Sequence, residues 1–251
     1  MGEELSVNLA SSLLAFAAGW LVRNLVHYYR TRKPAARLWR LDPKKKTVFV
    51  VGESRGGSPR YAKIPEPDAL AAMNLRQFLA QDLRVHTATT VRAAAFDMAA
   101  DAEANLVVIG GPAHNPLWDL LTGRLAAPVQ FRRYESEARI GLVGGDEEFG
   151  ESEREDGSSV DHAIVLLARN PFAPRSRLIL VAGCGTLATT GATHLFSRGS
   201  ARELVSRFDV SSPVALVVSV ESVAGYVAKP VIVAAVPFDQ PSGVPGIRTP
   251  S

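Results

Sequence analysis

Three stretches of this chain share one hydropathy pattern: an unbroken apolar run that stops at glycine. They read LVVIGGPAHNP at 106–116, TVFVVGESRGG at 47–57 and LILVAGCGTLATTG at 178–191. Short runs with no polar alternation predict strands buried on both faces, as in a parallel sheet. The glycines free the backbone to turn at each strand end, where a ligand can approach. Between the runs the period changes to that of a helix. Leu70, Met73, Leu75, Phe78 and Leu79 form an apolar stripe over 69–83, with Asp68 as its cap. Residues 84–89 predict a second strand with Val85 inward, and the alanine-rich stretch 91–102 predicts a second helix. Trp118, Leu121 and Leu125 predict a short helix over 117–125. This β-α-β-α-β order is the doubly wound pattern, with helices on both faces of the sheet.

Further along, 130–134 and 139–143 predict a hairpin or insert, and the acidic, Gly- and Ser-rich stretch 146–159 predicts a mobile loop. Strands are expected at 162–167 and 178–182, then helices from 186 to about 196 and over 201–208. Strands over 214–220 and 227–236 follow, antiparallel at an edge because their link is short. The expected fold is α/β, a Rossmann-like, mostly parallel sheet with flanking helices over 47–238, ending in a disordered tail at 239–251.

The amino end has a different pattern. Residues 5–22, LSVNLASSLLAFAAGWLV, carry no charge; Glu3 and Glu4 precede them and Arg23, Arg30, Arg32, Lys33, Arg37 and Arg40 follow. Length and flanking charge predict one transmembrane helix over 1–29 and a basic juxtamembrane connector over 30–46. The positive-inside rule then puts the amino terminus outside and the domain in the cytoplasm. The acidic start argues against a signal peptide. A surface-lying amphipathic helix, favoured by Ser6, Asn8, Ser11 and Ser12, and a buried helix remain as alternatives.

Composition adds little. Hydrophobic residues make up 47% and charged residues 21%, which excludes a disordered chain, and the net charge of +3 is concentrated near the amino end. Beside an apolar helix such a basic stretch points to anionic lipid rather than nucleic acid. The single cysteine, Cys184, excludes an intramolecular disulfide, and no Cys/His spacing reads as a metal site.

Candidate chemistry gathers at the glycine turns. Gly52 and Arg55 after the first run, Gly110, Gly111, His114 and Asn115 after the second, and Gly183, Gly185 and Thr186 after the third are the expected ligand-binding residues. Glycines with cations cradle anions, and a helix opening at Thr186 offers free N–H groups and a positive dipole end. Glu53 is the one strand-end carboxylate at a glycine loop and the candidate nucleophile or base. Walker A, GxGxxG, GxSxG and HExxH motifs are all missing.

With GGPAHNP and AGCGTLATTGA, the glycine strand ends resemble the Rossmann-like nucleotide-recognising modules of bacteria, some of which hang from one membrane helix in signalling or defence operons. The resemblance covers roughly 47–238 and implies a nucleotide or similar anionic small ligand with a sensing or regulatory role. Deoxyribosyltransferase-like and TIR-like relatives use a carboxylate against a nucleoside or NAD. That implies an alternative, a nucleoside or dinucleotide hydrolase or glycosyl-transfer enzyme using Glu53. The glutamate such enzymes carry shortly after the Gly185-Thr186 turn is missing here. A non-catalytic partner-binding domain is the third expectation.

Overall fold

The computed structural model describes residues 2–54, 63–134, 137–223 and 226–241. Helix α1 (Gly2–His27) passes through one π-helical turn at Tyr28–Arg32 into α2 (Lys33–Trp39), which ends on Arg40 in the left-handed conformation. Then come β1 (Thr47–Val51), α3 (Glu66–Leu83), β2 (Thr89–Arg92), α4 (Met98–Asp101), β3 (Asn105–Ile109) and α5 (Leu117–Leu125). β4 (Val129–Tyr134), β5 (Glu137–Leu142) and β6 (Glu148–Phe149) form a small antiparallel sheet. The chain continues through β7 (Ser152–Glu153), β8 (Ser159–Asn170), β9 (Ala173–Gly183), α6 (Thr186–Ala192), α7 (Arg198–Arg207), β10 (Val214–Val223), β11 (Tyr226–Val227) and β12 (Val231–Pro237).

The main sheet runs β11-β10-β8-β9-β3-β1-β2, with β12 also paired to β10 and β7 to β8. β2, β1, β3 and β9 are parallel; β8, β10 and β12 pair antiparallel. The fold is therefore α/β with a mixed sheet, which corrects the expectation of a mostly parallel one. The reason is connection length. Only Pro171 and Phe172 separate β8 from β9, and so short a link permits a hairpin but no parallel crossover.

Alternate residues of the apolar runs serve two cores. Phe49, Val51, Val107, Ile109, Ile179 and Val181 pack on one face with Leu75, Leu79, Trp39 and Phe196. Val48, Val50, Leu106, Val108, Leu178 and Leu180 pack on the other with Trp118, Leu121 and Leu125. Burial of both faces is what removed polar alternation from these strands.

Several expected elements shift. Residues 84–88 form no strand, and β2 and a 3-10 turn occupy much of the expected second helix. The acidic stretch contains β6 and β7. The expected connector includes α2, whose Ala35, Leu38 and Trp39 are buried in the core, with Trp39 against Phe196 at 4.9 Å between ring centroids. Of the expected tail, residues 242–251 lie outside the described residues.

The transmembrane expectation is overturned: among the described residues no helix is long and apolar enough to cross a membrane. The uninterrupted apolar part of α1 runs only over 13–22, between Ser12 and Arg23. At 1.5 Å per residue it spans about 15 Å, half of a hydrocarbon core. The single-pass location built on that span, with the amino terminus outside and the domain in the cytoplasm, falls with it.

Candidate functional site

β1, β3 and β9 are parallel, so Gly52, Gly110 and Gly183 stand at the same edge of the sheet. From β1 the chain goes to β2 on one side and to β3 on the other, which makes the gap between β1 and β3 a topological switch point. In open α/β sheets the crevice outside such a gap is where ligands bind. Here it holds a cleft of about 450 Å³. Asp68, Gly111, His114, Phe131, Cys184 and Thr189 contribute to its lining, with Gly183 and Gly185 at its far side.

Asp68 is the residue that sequence reasoning undervalued. It is not the cap of α3, whose N-cap is Pro65, but sits within the first turn and is buried, with 5% of its surface exposed. Its Oδ2 accepts no hydrogen bond and lies against the ends of β1 and β3. A Cβ on Gly52 would come within 2.7 Å of that oxygen, and one on Gly110 within 2.3 Å. The glycines are needed here because the carboxyl group occupies the space a side chain would fill. Burial pushes the Asp68 carboxyl up to about 6, since loss of water penalises the charged form.

The helix N-terminus expected to hold an external anion already holds an internal one. Asp161 on β8 is buried, and its carboxylate accepts from Gly185 N at 3.1 Å, Ala188 N at 3.0 Å and His162 N at 2.7 Å. Glu151 lies beside it, and a Cβ on Gly185 would stand 2.9 Å from its Oε2. Burial raises the Glu151 carboxyl first, and the Asp161 charge adds to the effect. Asp161 itself is raised by burial against the opposing pull of its hydrogen bonds. The sequence signal was present: Asp161 is a carboxylate just before the apolar run 163–168 of its strand.

The other expected residues divide. His114 is exposed and lines the cleft. Asn115 is fully buried and occupied: Nδ2 donates to Ile109 O at 3.0 Å and Val50 O at 3.4 Å, while Oδ1 accepts from Leu117 N at 3.2 Å. It ties β1 to β3 and opens α5, and with both amide N–H groups engaged and the residue fully buried its side chain serves the fold rather than a ligand. Glu53 faces Arg92 at 3.8 Å rather than the cleft. Arg55 lies outside the described residues, as does the side chain of Thr186. Cys184 lies in the cleft, but burial, with help from Asp161, pushes its thiol up to about 12, which leaves no useful thiolate. Among the described residues no group of His, Cys, Asp and Glu could hold a metal ion.

Comparison with protein-family models, curated proteins and solved structures finds no match. The nucleotide-binding and signalling expectation gains nothing from them. One of its grounds is also lost, because the N–H groups of Gly185 and Ala188 are taken by Asp161.

Proposed function

We propose that the chain is a binding module for a small polar molecule that carries a hydrogen-bond donor or a positive charge, seated in the cleft over β1 and β3. The observation that supports it is Asp68: a buried carboxyl with an unpartnered oxygen, at the switch-point crevice of the sheet. An unsatisfied buried acceptor costs about 1–3 kcal/mol, and such a cost persists where a site is held ready for a partner. Asp161 and Glu151 stand behind Gly185 at the cleft wall, and Arg132, the arginine in the lining, is paired with Glu148 at 2.9 Å. Phe131, braced edge-on by Trp118 at 5.4 Å, gives one wall an aromatic surface for an apolar part of the ligand.

A second reading follows from the same residue. A carboxyl poised at about 6 in a cleft is suited to general acid–base work, and in that reading Asp68 takes the role that the sequence suggested for Glu53. Thermal-shift and calorimetric titration of the full chain with small amines, polyols and nucleosides tests both. Stabilisation of the native chain that D68N loses is the expected result. Silence across the panel, or an equal response in D68N, overturns the binding proposal. Turnover of a bound compound that is abolished in D68N selects the second reading.

A further inference from the structure

α2 carries Lys33 and Arg37 one turn apart on one face, and Arg40, the left-handed residue that ends the helix, brings a third cation beside them. All three line a groove of about 590 Å³ between α2 and the end of α7. Like charges at this spacing repel, and among the described residues none of the three makes an ion pair. The acid lining the groove, Asp209, spends its hydrogen bonds on its own loop, accepting from Ser211 N at 2.9 Å, from Ser211 Oγ and from Ser212 Oγ at 2.9 Å; those bonds lower its carboxyl first, and the Arg40 charge adds a smaller share. Arg40 donates to Ser211 O, and Lys33 stands 4.9 Å over the Tyr29 ring. Among the described residues Arg37 has no hydrogen-bond or ion-pair partner.

Behind the groove lies a second anomaly. Arg177 on β9 is buried, with 3% of its surface exposed, and no carboxylate pairs with it among the described residues. Among the described residues its guanidinium donates to two backbone carbonyls, Val210 O at 3.2 Å and Leu38 O at 3.3 Å, and its Nε has no acceptor. Val210 also lines the groove, so one residue links the buried cation to the exposed three. Burial, and next the nearby charge of Arg40, push the Arg177 guanidinium down to about 9. A buried charge is ordinarily compensated by an opposite one.

We infer that the groove between α2 and α7 is a binding site for a phosphoryl group, gripped by Lys33, Arg37 and Arg40 and backed by Arg177. A phosphoryl group carries close to two charges and three acceptor oxygens, which suits two guanidinium forks and an ammonium better than a carboxylate does. The site is separate from the Asp68 cleft and stands or falls independently of it.

The test is calorimetry and thermal shift of the full chain at fixed ionic strength. Inorganic phosphate and glycerol phosphate represent the free ligand; phosphatidic acid vesicles, whose headgroup is a phosphomonoester, against phosphatidylcholine vesicles, represent a lipid headgroup. Acetate is the control. Stabilisation by phosphate or glycerol phosphate but not by acetate supports the site with a soluble ligand. Sedimentation with phosphatidic acid vesicles but not with phosphatidylcholine vesicles, without a response to the free phosphates, supports it with a headgroup. R37Q weakens either response by about tenfold, one charge-assisted contact's worth. Because Arg37 holds nothing else in place, that variant keeps the fold, and D68N leaves the response intact. Equal responses to acetate and phosphate, no response to any probe, or an unchanged response in R37Q overturns the assignment.

Discussion

The carboxyl group of Asp68 fills the space in front of Gly110: a Cβ on that glycine would stand 2.3 Å from Oδ2, and Gly110 has φ of +92°. Two separate penalties therefore meet in G110A, a left-handed backbone and a collision. Together they are expected to cost more than about 2 kcal/mol. Adding D68A should relieve the collision and leave the backbone penalty. Urea unfolding of the single and double variants measures both parts, and additive losses would show that the two residues do not compete for space.

Asp68 also sets a pH dependence. Its folded pKa of about 6 lies above the ordinary value of 3.8. Between those values the folded chain holds the proton more tightly than the unfolded chain, so this residue's contribution to stability declines as pH rises through that window. Above pH 6 the buried charge is carried at a cost of at most about 3 kcal/mol. D68N should accordingly be more stable than the native chain at pH 7.5, and the gap should close near pH 4. Melting temperatures of the pair across that range test it; a gap that does not vary with pH would mean that Asp68 is solvated.

Asp161 behaves as a built-in anion at the start of α6. Removing it in D161A leaves the N–H groups of Gly185 and Ala188 without an acceptor, at an expected cost of about 2–4 kcal/mol. The vacated space should then accept an added small carboxylate such as acetate. Stability of D161A should rise with acetate concentration while the native chain does not respond. An equal response of the two would show that the N–H groups are not the receptor.

Cys184 should be inert in the folded chain. With its thiol pushed up to about 12, the thiolate fraction at pH 7.5 is below about one in ten thousand. Alkylation by iodoacetamide should be slow in buffer and rapid in urea, followed by mass spectrometry. Fast labelling of the native chain would contradict the buried, acid-flanked setting of the sulfur.

Part of this site was legible from residue order. The two-sided burial of 47–51 and 106–109, and the glycines that end those runs, follow from composition alone, since a strand between two layers has no polar face. His114 was found because it sits in such a turn. Asn115 was singled out for the same reason, but local sequence cannot show that its amide spans from Ile109 O to Val50 O. Glu53 was favoured for standing at a strand end, yet its side chain turns towards Arg92 on β2. Which neighbour a strand acquires is a non-local event.

Sequence by itself determined where apolar runs stop, that glycines end them, and that a basic segment follows the first helix, because these depend on side-chain chemistry and local backbone freedom. Tertiary structure alone decided that β8 and β9 turn the sheet antiparallel, that Asp161 takes the N–H groups an outside anion would use, and that Asp68 stands unpartnered over two glycines. Those outcomes depend on residues such as Asp68 and Gly110, or Asp161 and Gly185, which are distant along the chain and meet only when the sheet closes the distance.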